Sequence, residues 1–214
     1  MQVTTVKGIY ASNTFVVDDN GIKIVIDAGA PIGTMRQVLG NKPPTAIFLT
    51  HEHFDHVAHI ADYAAAYPKC PIYCHPATLK ELKTNEINSV IGAFAGVDVR
   101  TPDSFENFRT LENNQVIGVN QYDSATPFRI KAIFAPGHSD GSVLYLTGNK
   151  LFTGDVLFDG TIGRTDLVPN GYAQMQTTLR NLRSLELEKA YHDHGDPSSF
   201  EQQQKNIRYH TDVF

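Results

Sequence analysis

The sequence predicts an α+β fold in which two β-sheets pack together under a cover of helices. Two observations carry this prediction. Short apolar runs occur early and again late in the chain, and many of them break at Gly, Asp, Asn or Pro. Amphipathic stretches lie between and after these runs. At 214 residues the chain is long enough for one domain whose core stands without disulfides.

The elements follow in chain order. Val3–Tyr10 and Asn13–Asp18 read as strands, and Asp19-Asn20-Gly21 is a hairpin turn leading into the return strand Ile22–Ile26. Asp27-Ala28-Gly29-Ala30-Pro31 breaks the pattern, and a short helix over Gly33–Leu39 leads to the buried strand Ala46–Leu49. Val57–Ala66 reads as a helix stopped by Pro68. Ile72–Cys74 is a short strand, and Pro76 opens a helix over Ala77–Leu82. The stretch Asn85–Pro127 has little period and many turn residues, so loops with short elements are expected. Strands follow at Phe128–Phe134, Ser142–Leu146 and Lys150–Thr153. In Tyr172–Leu185, Met175, Leu179 and Leu182 share one helical face. Lys189–Tyr191 is a last strand and Phe200–Tyr209 a closing helix.

Composition narrows the function classes. Charged residues make up 19% and the net charge is −5. A weakly acidic chain lacks the basic footprint that phosphate backbones require, so nucleic acid is not an expected partner. No apolar run approaches the ~18 residues of a membrane span, and the first residues lack an apolar signal core. A soluble cytoplasmic protein acting on a small molecule is expected. The two cysteines, Cys70 and Cys74, flank a predicted strand. An extended segment of that length separates them beyond disulfide reach, so both are expected to pack in the core.

The segment Thr50-His51-Glu52-His53-Phe54-Asp55-His56 holds the chemistry, and four of the nine histidines lie within residues 51–59. His51, His53 and Asp55 alternate, so an extended backbone aims them to one side, and His56 follows where the chain turns into a helix. Imidazoles and carboxylates together suit zinc, iron or manganese better than calcium. Further donors sit just past other predicted strands: His138 in Pro136-Gly137-His138, Asp155 in Thr153-Gly154-Asp155, and His192-Asp193-His194. His59 is expected at the rim or behind a ligand. His75 is expected to cap or pack, and His192 to be structural.

These motifs resemble those of the metallo-β-lactamase-fold superfamily, and within it the glyoxalase II-like hydrolases. THEHFDH matches the T-H-x-H-x-D-H motif, APGHSDGS the P-G-H-[ST]-x-G-S turn, FTGDVLF the F-x-G-D-x-L-F motif, and Gly163-Arg164-Thr165-Asp166-Leu167 the G-R-T-D-[FL] extension. The resemblance implies an αβ/βα sandwich of two mixed β-sheets flanked by helices, with one domain over residues 1–214. It also implies that the extra C-terminal helical segment of full-length glyoxalase II is missing here. It places a first metal on His51, His53 and His138, and a second on Asp55, His56 and His194, with Asp155 bridging. His194, preceding Gly195, is chosen over His192. Val57-Ala58-His59 departs from the family's usual glycines after D-H.

The implied reaction is hydrolysis, in which a hydroxide shared by two divalent metals, zinc being expected and iron or manganese also suiting, attacks a carbonyl. Asp55 is the catalytic residue that orients the water or accepts its proton. A thioester such as S-2-hydroxyacylglutathione suits such a site, because a thiolate leaves without a strong acid. Arg164 and Tyr145 match positions through which relatives contact glutathione. Because Lys205 and Arg208 are the only cations after His194, recognition of glutathione is expected to be loose. The alternatives on the same scaffold are a mononuclear iron persulfide dioxygenase and a lactone or ester metallohydrolase.

Overall fold

The structure is a computed structural model that describes residues 1–40, 42–120 and 127–212. Its first sheet holds six strands in chain order: β1 (Gln2–Lys7), β2 (Asn13–Asp19), β3 (Ile22–Ile26), β4 (Ala46–Phe48), β5 (Ile72–Cys74) and β6 (Phe108–Thr110). β1, β2 and β3 pair antiparallel, whereas β3 to β6 run parallel. The second sheet has the order β14-β13-β10-β9-β8-β7, built from β7 (Val116–Val119), β8 (Phe128–Phe134), β9 (Val143–Thr147), β10 (Lys150–Phe152), β13 (Lys189–Tyr191) and β14 (Ser198–Ser199). A small ribbon of β11 (Leu157–Phe158) and β12 (Thr161–Ile162) lies beyond β10. Both large sheets are mixed, as the resemblance implied.

Strand alternation assigns each residue to a layer. Val25 of β3 joins the cluster with Met35, Leu39, Ile60 and Tyr63, from α1 (Ile32–Leu39) and α3 (Ile60–Ala66). Its neighbours Ile24 and Ile26 face the other way and meet Ile130, Ala132, Val143 and Tyr145 of the second sheet. The far side of the second sheet packs Leu144 and Leu151 against Met175, Leu179 and Leu182 of α6 (Gly171–Leu182) and Ile207 of α7 (Phe200–Asp212). The layers are therefore helix, sheet, sheet, helix.

Three expectations need correction. The strand expected over Val3–Tyr10 stops at Lys7. Gly8 N donates to Ser12 O (2.7 Å), and Tyr10 and Ala11 turn through positive φ (51° and 59°). The helix expected over Val57–Ala66 is split into α2 (Phe54–Val57) and α3. The cause is Ala28, whose N–H donates to His56 O (2.8 Å) and whose carbonyl accepts from His59 N (3.0 Å), drawing those groups out of the helical ladder. Within Asn85–Pro127 the chain forms a ten-residue helix, α5 (Glu86–Ala95), besides β6 and β7. Residues 121–126 of that stretch lie outside the described residues.

The two sheets are joined at one edge by Asn13. Its N–H donates to Asp193 O (2.6 Å), its amide donates to His192 O (2.7 Å) and Gly195 O (2.9 Å), and Ser12 bridges to His194. Cys70 and Cys74 are buried free thiols. Among the described residues no helix is long and apolar enough to cross a membrane.

Candidate metal centre

The site lies where the strands end, because each loop that carries a predicted ligand follows an apolar strand. β4 delivers His51, His53, Asp55 and His56, β8 delivers His138, β10 delivers Asp155, and β13 delivers His194. The structure brings all seven of these residues together, as two trios with Asp155 between them.

In the first trio, ligand atoms of His51, His53 and His138 all lie within 4.8 Å of one another. His138 Nε2 stands 2.9 Å from His53 Nδ1, and the His51 ring centroid is 4.6 Å from that of His53 and 5.0 Å from that of His138. In the second trio, Asp55 Oδ2 is 3.3 Å from His56 Nε2 and 3.2 Å from His194 Nε2. Asp155 Oδ2 lies between the trios, 3.6 Å from both His56 Nε2 and His138 Nε2 and 3.7 Å from His194 Nε2.

Divalent cations fit this donor set. His51 Nε2, His56 Nε2 and Asp155 Oδ1 are buried without a hydrogen-bond partner, which is costly in an ordinary core. Burial, reinforced by the crowded imidazoles, holds His51 far below the usual imidazole range and pushes His53 down to about 3. Burial lowers His138 as well. All three rings are therefore neutral near pH 7, the form that ligates metals. Burial works against the charge on Asp55 and Asp155, but the facing histidines outweigh it and hold both below the usual carboxylate range. On His56 burial opposes the proton, and Asp155, Asp193 and Asp27 together outweigh it.

Behind the trios sits a polar hub that sequence reasoning missed. Thr50 Oγ1 lies within hydrogen-bond distance of Asp27 Oδ2 (2.7 Å), Asp193 Oδ2 (2.9 Å) and His51 Nδ1 (3.0 Å). His56 Nδ1 is 3.2 Å from Asp27 Oδ2 and 3.4 Å from Asp193 Oδ2. Arg164 O is 3.0 Å from His138 Nδ1 and so accepts its N–H. These contacts set ring orientation and tautomer, leaving the opposite nitrogen of each ring for the site. The signal for Asp27 was available in the sequence: it is an acid at the end of an apolar strand, like the predicted ligands.

The remaining predicted residues fall elsewhere. The side chain of Arg164 is exposed and makes a bidentate pair with Asp166 (2.8 and 2.7 Å) at the rim. Tyr145 requires a correction: it is fully buried between the sheets, and its hydroxyl donates to Leu49 O (2.7 Å). A side chain enclosed on every side presents no surface to a substrate. His192 is buried with Nδ1 2.9 Å from Thr153 Oγ1 and Nε2 2.8 Å from Ser198 Oγ, away from both trios. His59 faces Asp62 (3.4 Å), and His75 caps α4 (Pro76–Thr84) by accepting from Ala77 N.

Residues 8–194 match the sequence pattern of the Metallo-beta-lactamase superfamily. The chain belongs to the metallo-beta-lactamase superfamily. Among superfamily relatives, a probable metallo-hydrolase of Bacillus subtilis, YqgX, is 29% identical over 80% of this chain and 77% of its own. The hydroxyacylglutathione hydrolase of Tolumonas auensis is 28% identical over 86% of this chain, which spans 61% of that relative's length. The crystal structure of TTHA1623 in a di-iron-bound form superposes with a TM-score of 0.77 at 27% identity, covering 96% of this chain and 98% of that one. Superfamily membership and the His/Asp clusters make the chain a metal-dependent hydrolase.

Proposed function

We propose that this chain is a binuclear metallohydrolase acting on a thioester of the S-2-hydroxyacylglutathione type. The observation that carries the reading is Asp155 Oδ2, standing 3.6–3.7 Å from a ring nitrogen of His138, His56 and His194 and so shared by both trios. His51, His53 and His138 would hold one ion, Asp55, His56 and His194 the other, and Asp155 both. When bound, the ions supply a water of lowered pKa and a Lewis acid for the carbonyl.

The chain's own residues do the rest. Asp55 directs Oδ2 toward His56 and His194, and Oδ1 serves to orient the attacking water and take its proton. Thr50, Asp27 and Asp193 keep the rings of His51 and His56 from turning. The thiolate product is stable near neutral pH, so its departure needs no acid from the protein. The Tolumonas relative's name supports the glutathione thioester, and the di-iron form of TTHA1623 supports iron as an alternative to zinc.

The test is metal analysis of protein purified without added metal, alongside a glutathione thioester hydrolysis assay. Two ions per chain with thioester turnover support the reading. One iron per chain, with oxygen uptake on a glutathione persulfide, replaces it.

A further inference from the structure

Among the buried groups outside the proposed ligand set, Glu52 stands out. It lies between His51 and His53, its side chain is buried, and among the described residues no lysine or arginine pairs with it. An unpaired buried carboxylate is costly and persists only when it is well hydrogen-bonded. Thr78 Oγ1 of α4 donates to Glu52 Oε2 (3.0 Å). Thr78 Oγ1 also lies 3.4 Å from Gly141 O, so the same hydroxyl touches the carboxylate and the backbone of residue 141.

Ser139 and Gly141 belong to the turn that carries His138. The room for the carboxylate exists because residue 141 has no side chain: a Cβ there would collide with Glu52 Oε2 and Thr78 Oγ1. The backbone of Glu52 is held separately, since Asn88 Nδ2 of α5 donates to Glu52 O (2.7 Å). Glu81 Oε1 in turn accepts from Ile87 N and Asn88 N (both 2.8 Å), which fixes the start of α5.

We infer that Glu52 is a positioning residue for the first trio, its carboxylate tying the segment that carries His51 and His53 to the turn that carries His138. The tie maintains the 2.9 Å approach of His53 Nδ1 and His138 Nε2. The second trio is anchored by other contacts, His56 through Asp27 and Asp193 and His194 through the bridge to Ser12. Loss of Glu52 therefore acts on one metal step and spares the other. This inference rests on the binuclear reading given above.

The experiment is a calorimetric titration of the metal-stripped full chain with zinc, using His53→Ala and His194→Ala as references for loss of each trio. Glu52→Ala should weaken one of two binding steps by about ten- to a hundredfold, the range for groups that hold a ligand in place. The step it retains should match the one retained by His53→Ala. Glu52→Gln keeps an oxygen for Thr78 and the same shape against Gly141, so its loss should be smaller. Gly141→Ala displaces the same carboxylate from the opposite side and should reproduce the single-step loss. If Glu52→Ala does not fold, the Gln and Gly141 variants decide by the same pattern. Both steps unchanged, both weakened equally, or a lower melting temperature with both affinities intact would overturn the inference. A wild type that takes up a single ion overturns the binuclear reading instead. The role of Glu52 then stands only if that ion is lost in Glu52→Ala and His53→Ala alike.

Discussion

Replacing Tyr145 by Phe separates a packing role from a substrate contact. The ring is wholly buried and lies edge-on to Phe48, centroids 5.3 Å apart, a contact that Phe retains. Only the hydroxyl is lost, and with it the 2.7 Å hydrogen bond to Leu49 O at the end of β4. Leaving a buried carbonyl without that donor costs about 1–3 kcal/mol. For a domain of this size each kcal/mol shifts the melting temperature by roughly 2–4 °C, so a drop of about 4–8 °C is expected at the middle of that range. Thermal unfolding and steady-state kinetics on a glutathione thioester provide the assay. The expected result is a lower melting temperature with KM within twofold of wild type. A KM raised tenfold with unchanged stability would show that the hydroxyl meets substrate, and that its enclosure between the sheets is the wrong description.

Other substitutions follow from the same geometry. Asp155→Ala should reduce kcat/KM by far more than His59→Ala, whose loss is at most about ten- to a hundredfold; the reverse order in kinetics would remove Asp155 from its shared position. His192→Ala should destabilise by roughly 1–3 kcal/mol, because Thr153 and Ser198 lose a buried partner. Metal content per chain should stay at the wild-type value in that variant, and loss of an ion would make His192 a ligand. Arg164→Ala keeps the carbonyl that holds His138 and should raise KM for a glutathione thioester several-fold at constant kcat. An unchanged KM would leave Arg164 with Asp166 as its sole business.

The positions of the strands were legible because β residues here alternate between two buried faces and end at Gly, Asp or Pro. Ile22–Ile26, Ile72–Cys74, Phe128–Phe134 and Lys189–Tyr191 agree residue for residue with expectation. The proposed ligands were legible for a related reason: each is a donor left just past an apolar run. Helix α5 was not. Its apolar residues Ile87, Val90, Ile91 and Phe94 face outward, while Asn88 and Gly92 are buried against neighbouring loops. A search for a buried apolar stripe therefore finds the wrong side of this helix. The split after Val57 was equally hidden, since it depends on backbone bonds to Ala28, which no local pattern announces. Tyr145 was misread because a tyrosine on a strand looks the same in sequence whether its hydroxyl reaches a cleft or a carbonyl.

The stitch at Asn13 bears on the order in which a growing chain matures. Asn13 holds His192 and Gly195, 179 and 182 positions further along the chain, so His194 is synthesised long after the strand that anchors it. Domains emerge from the ribosome N-terminus first, so the loop with four histidines and Asp55 is complete while its partners at 138, 155 and 194 are still unmade. A stalled or proteolysed chain ending before residue 192 loses Asp193 and His194 together with the bonds that close the two sheets. Only a chain translated past residue 195 can assemble the full set of side chains, which makes their convergence a sign that synthesis has passed that point as much as of correct folding.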